Sequence, residues 1–147
     1  MIADFRDVLA AFVAHDVRFL VVGAHALAAH GVPRVTGDLD IWIAPNESNA
    51  SRVWDALAEF GAPLVALNVK VSDFSTPGQV VQLGLPPYRI DVMTSISGVE
   101  FDEAEQGSLA GMLFGAPVRF IGREALVRNK RASGRPKDLA DVRSLGE

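Results

Sequence analysis

Apolar residues recur at Phe5, Val8, Leu9, Phe12 and Val13, a spacing that lays one stripe along a helix over residues 3–15. The period then changes. Residues 17–22, Val-Arg-Phe-Leu-Val-Val, are β-branched and aromatic and close on Gly23, which predicts a strand buried on both faces. Helix formers occupy 24–30, with Gly31 placed as a left-handed stop. A second β-favouring run, 39–44, is entered through Asp38 and ended by Pro45-Asn46. Over 47–60, Val53, Leu57 and Phe60 share one side and Gly61 follows, predicting another amphipathic helix. Residues 66–71, 79–85, 88–94 and 118–121 read as further strands, with Pro86-Pro87 as a hairpin connection between two of them. A helical pattern returns at 123–132, breaks at Ser133-Gly134-Arg135, and resumes from Pro136 through Leu145, proline being suited to a first helical position.

Strands and helices that alternate, with some hairpins among them, imply an α/β (α+β) architecture: a mixed β-sheet flanked by helices. No repeat, low-complexity tract or long linker divides the chain, so residues 1–147 read as a single domain, and 49% hydrophobic residues supply its core. The absence of cysteine excludes disulfides, thiolate metal sites and a cysteine nucleophile. An acidic N-terminus and the lack of any apolar run near about 18 residues point to a soluble, cytoplasmic protein with no membrane attachment. The net charge of −4 argues against broad coating of nucleic acid, which takes a surplus of lysine and arginine. That charge is unevenly placed. Residues 1–118 hold 6 basic and 14 acidic side chains, whereas 119–147 hold 8 basic and 4 acidic.

Three carboxylates stand where strands are expected to be apolar. Asp38 and Asp40, at i and i+2 in Asp38-Leu39-Asp40-Ile41-Trp42-Ile43, point to one face of their strand, with Leu39, Ile41 and Ile43 on the other. Asp91 sits between Ile90 and Val92 in the same local pattern. A carboxylate in a buried sheet costs several kcal/mol unless it is paired or bound to a metal. If the two strands are neighbours, the three acids form an oxygen-rich patch of the kind magnesium prefers, and two ions about 3.5–4 Å apart could serve an attacking and a leaving oxygen. The competing reading caps a turn with Asp38 and pairs Asp40 or Asp91 with an arginine such as Arg89 or Arg34. The order of elements favours the metal: a buried strand, Gly23 and a short helix make a phosphate-binding turn one helix ahead of the Asp38/Asp40 pair.

This arrangement resembles the minimal nucleotidyltransferases of the DNA polymerase β superfamily. The resemblance rests on Val21-Val22-Gly23-Ala24-His25-Ala26, then Arg34-Val35-Thr36-Gly37-Asp38-Leu39-Asp40-Ile41, and later Arg89-Ile90-Asp91-Val92. The Arg34-x-Thr36-x-Asp38-Leu39-Asp40 phrasing and the ending from Lys130 to Asp141 are similar to a bacterial branch that includes toxin–antitoxin and abortive-infection proteins. The resemblance implies a nucleotidyltransferase (polymerase β-like) fold, magnesium, and transfer of a nucleoside monophosphate from a nucleoside triphosphate, ATP among them, to an acceptor hydroxyl. By that likeness Asp38 and Asp40 hold two metal ions, Asp91 binds one and helps to activate the acceptor, and Gly23 and Ala24 cradle the β- and γ-phosphates. Position 24 departs from the pattern, being alanine where many relatives carry serine or glycine. The change removes a hydroxyl contact and leaves the backbone donors.

The basic segment supplies charge for the phosphate oxygens: Lys130 first, by its match to a lysine of the related branch, then Lys137 and Arg135. Arg34 and Thr36 precede the metal acids and either touch substrate or orient Asp38. Asp138 and Asp141 read as cap residues and partners for nearby cations. Trp42, on the Asp38/Asp40 face, reads as core. The acceptor stays open among RNA, a protein hydroxyl and a small molecule. Two rivals stay open beside the enzyme: a non-catalytic antitoxin or regulatory partner of a toxin–antitoxin pair, and a dimerisation domain whose acids are charge-paired.

Overall fold

The structure, a computed structural model, describes residues 2–85 and 87–147. One six-stranded mixed sheet runs through it in the order β3-β4-β2-β1-β6-β5. Its strands are β1 (Phe19–Val22), β2 (Asp38–Ile43), β3 (Val80–Leu85), β4 (Tyr88–Met93), β5 (Leu109–Leu113) and β6 (Ala116–Phe120). β2 runs parallel to β4 and β1 parallel to β6, while β1–β2, β3–β4 and β5–β6 are antiparallel. The helices are α1 (Ile2–Ala14), α2 (Gly23–Ala29), α3 (Glu47–Phe60), α4 (Phe101–Gln106), α5 (Arg123–Ser133) and α6 (Pro136–Ser144). The expected stripe of α1 is buried at Phe5, Val8, Leu9 and Phe12 and packs with Val53 and Leu57 of α3 in one core. Among the described residues, no helix is long and apolar enough to cross a membrane.

The helix boundaries follow their local chemistry. Asn46 caps α3 by accepting the Asn49 N–H at 2.9 Å, and Gly61 ends it at φ 99°, a left-handed conformation that glycine adopts without a Cβ penalty. Pro136 occupies the first turn of α6, as its position predicts.

Residues 66–71 do not form the expected strand. The backbone there closes on itself, Leu67 donating to Pro63, Asn68 to Val65 and Val69 to Leu64, with Asn68 at φ 59°. A 3₁₀ turn, Val71–Ser75, then drives Phe74 into the core, where it is fully buried. The apolar letters of 65–71 are therefore spent on exposed Val65, Leu67 and Val71. β5 and α4 are absent from the sequence-based reading. β5 is an edge strand whose Gly111 makes room for the Phe120 ring, so it carries no strong apolar alternation. The hairpin between β3 and β4 passes through Pro86, which lies outside the described residues.

Candidate active site

Parallel pairing of β2 and β4 sets Asp40 directly opposite Asp91 and Asp38 opposite Arg89. Adjacent strands lie about 4.8 Å apart, so Asp40 and Asp91 project side by side from one face. The two carboxylates therefore crowd each other. Burial pushes the Asp40 carboxyl up to about 6, reinforced by the charges of Asp91 and Asp38 and only partly relieved by Lys130. Asp91 Oδ1 is buried without a hydrogen-bond partner. Asp38 is held differently, its two oxygens 3.3 and 3.4 Å from the Arg89 guanidinium. Among the described residues, no three carboxylate or imidazole groups close on a single point.

Gly23 lies beneath the acids. Val22 pairs with Asp40 across β1–β2, and the chain turns into α2 at Gly23 with φ +71°. A Cβ there would fall 2.1 Å from Asp40 Oδ2, so only glycine fits between the turn and the carboxylate. Thr36 accepts the Asp38 N–H at 3.0 Å and so fixes the entry to β2.

A cleft of about 600 Å³ opens over these residues. Gly23, Ala24, Arg34, Thr36, Asp38, Asp40, Lys130, Arg135 and Lys137 all line it; Asp91, beside Asp40 on the next strand, does not. The far wall comes from α5 and α6. Lys130 Nζ stands 3.3 Å from Asp138 and 3.1 Å from Asp141, Arg34 pairs with Asp141, and Arg135 lies 2.7 Å from Asp138. Burial alone would raise both carboxyls of α6. The cations outweigh it, pulling Asp138 down to about 2 and Asp141 below its usual range. Asn129 and Ser133 share this wall. Both sit on the turn of α5 that carries Lys130, so reading that helix by face would have found them.

The remaining candidates fall elsewhere. Trp42 is buried edge-on against Phe101, ring centroids 5.2 Å apart, and belongs to the core. His15 pairs with Glu59 and His30 with the Ile121 carbonyl. His25 packs against Phe5 and Phe114, and burial lowers its affinity for a proton.

No protein-family model matches the chain, and no curated protein matches its sequence. Solved structures do match. TM1012 of Thermotoga maritima, described as a candidate nucleotidyltransferase, superposes with a TM-score of 0.58 at 15% identity, over 97% of this chain and 88% of that one. ANT(2")-Ia, in complex with adenylyl-2"-tobramycin, superposes with a TM-score of 0.60 at 17% identity, over 98% of this chain and 86% of that one. This chain has the nucleotidyltransferase fold. Within that nucleotidyltransferase fold, the Gly23 turn, the β2 acids and the α5–α6 cations meet around one cleft, in the chain order the sequence motif set out.

Proposed function

We propose that this chain is a magnesium-dependent nucleotidyltransferase that moves a nucleoside monophosphate from a nucleoside triphosphate to an acceptor hydroxyl. The observation that carries the reading is the opposed Asp40/Asp91 pair, crowded enough to push Asp40 up to about 6 and leaving Asp91 Oδ1 without a partner. The Asp40 and Asp91 oxygens suit a hard divalent cation, and Asp38 would join them in holding two such ions once its carboxylate turns from Arg89. Bound magnesium supplies positive charge that offsets this crowding and polarises phosphate oxygens.

The chain's own residues then divide the work. The Gly23–Ala24 backbone receives the β- and γ-phosphates, while Arg34, Lys130 and Lys137 hold the phosphate chain from the opposite wall. Thr36 keeps Asp38 in place. The acceptor oxygen bonds to the α-phosphorus, the bond from that phosphorus to the bridging oxygen breaks, and pyrophosphate departs. The acceptor's proton passes to Asp91. Candidate acceptors are an RNA end, a protein hydroxyl and a small molecule. The adenylylated tobramycin bound to a structural neighbour supports including small polyhydroxylated molecules in the screen.

Incubation with labelled triphosphates, magnesium and each acceptor class tests the reading. Transfer of label by the wild type and its loss in Asp40→Asn is the expected result; no binding of any magnesium triphosphate to the wild type would overturn it. Two observations favour a second reading, a non-catalytic partner of a toxin–antitoxin or regulatory pair: Asp38 is already paired with Arg89, and residue 24 carries no hydroxyl. Biological function that survives Asp40→Asn, with co-purification of a neighbour-encoded protein, would select that reading.

A further inference from the structure

Asp138 and Asp141 of α6 take no part in the chemistry above, yet they are the buried carboxylates among the described residues, each 1% exposed. Stability is a weak reason to keep them. Replacing a buried ion cluster by apolar residues of similar volume is often neutral or stabilising, whereas removing one member leaves the rest uncompensated. The distinctive property of this cluster is which cations it joins. Arg34 comes from the loop before β2 and Lys130 from α5, and both line the cleft. Asp141 touches both, Oδ1 meeting Arg34 and Oδ2 lying 3.1 Å from Lys130 Nζ. Asp138 stands on the other side of Lys130 at 3.3 Å and is itself fixed by Ser133 and Arg135.

We propose that Asp141 is a positioning residue: it holds Arg34 and Lys130 side by side, against their mutual repulsion, so that together they meet the phosphate chain of a nucleoside triphosphate. The inference rests on the nucleotidyltransferase reading of the cleft. Donor capacity is consistent with it. A guanidinium has five N–H donors, of which Asp141 engages one nitrogen's, and the Arg34 side chain stays 32% exposed. The Lys130 ammonium has three protons; it donates one to Asp138 and pairs with Asp141 Oδ2 by charge at 3.1 Å. Each cation thus keeps donors for an incoming anion while its location is set from behind.

Titration calorimetry with magnesium tripolyphosphate, which carries the phosphate chain without a nucleoside, and with the four magnesium nucleoside triphosphates tests this. The proteins are wild type, Asp141→Asn, Asp141→Glu, Arg34→Gln and the Asp141→Asn/Arg34→Gln double variant. Asp141→Asn and Arg34→Gln are each expected to weaken tripolyphosphate binding by about tenfold or more, since charge-assisted contacts are the strong ones. Asp141→Glu recovers part of the loss, which a purely structural role in α6 would not produce. Because Asp141 acts through Arg34 and Lys130 together, the double variant loses less affinity than the product of the two single losses. Wild-type affinity in the single variants, or losses that multiply in the double, would overturn the inference and leave the proposed activity standing. Should Asp141→Asn fail to fold, Asp141→Glu takes its place in the same cycle with Arg34→Gln, and losses that multiply there, or wild-type affinity in both single variants, overturn the inference. A wild type that binds no triphosphate overturns both proposals.

Discussion

At the scale of single residues, Asp40 and Asp138 are opposites. Asp40 is crowded by acids and carries a proton more readily than the usual value of 3.8, at about 6. The unfolded chain therefore loses that proton first, and folding stability falls as the pH rises from about 4 to about 6, staying lower above that. Asp40→Asn removes the penalty. It is expected to stabilise the metal-free protein at pH 7–8 by about 1–3 kcal/mol, the gain fading toward pH 4, as read by denaturant titration across pH. Asp138 is surrounded by cations and pulled down to about 2, so its contribution is complete above the ordinary carboxylate range and is lost as the pH falls from about 4 toward 2. Asp138→Asn should lower the thermal midpoint at neutral pH and flatten its fall through that acid window. Stability data alone would thus separate an acid kept for chemistry from one kept for its partners.

At the scale of elements, β1 and β2 are tied to α3 by a single buried amide. Asn49, 1% exposed, donates to the Arg18 and Ala44 carbonyls at 3.0 Å each and accepts the Arg18 N–H at 2.8 Å. Asn49→Ala leaves those backbone groups unpaired and should cost about 2–3 kcal/mol in urea unfolding, whereas Asn46→Ala, which removes only the α3 cap, should cost about 1 kcal/mol. The same elements show what a sequence can reveal. α3 is legible to the residue because cap, apolar stripe and terminal glycine are all local signals. The β2 acids are legible because aspartate two residues apart in an apolar strand is locally anomalous. The turns over 64–68 are not, since Val65, Leu67 and Val71 look like strand residues until the chain is seen to close on Asn68. Nor is the link between Arg34 and Asp141, which depends on packing the loop before β2 against a helix 107 residues away.

For the molecule as a whole, half of the eight basic side chains of 119–147 are paired with acids. Arg123 pairs with Glu147, Arg128 with Glu103, and Lys130 and Arg135 with the α6 acids. At the other end of the cleft, the crowding of Asp40 by Asp91 and Asp38 is only partly relieved by Lys130. Magnesium at ten times its dissociation constant should therefore stabilise the wild type by about 1.4 kcal/mol, and a chelator should reverse this. In a thermal scan the rise is about 4 °C, and it should be absent in Asp40→Asn. The bond between Arg34 and Asp141 also has a consequence for how the protein comes into being. A chain made from its N-terminus has Asp38 and Asp40 early, but the wall that faces them exists only once α6 has been synthesised and packed. Chains that stop short of α5 and α6 carry the acids without Lys130 and with Arg34 unheld, so the proposed transfer activity waits on those two helices.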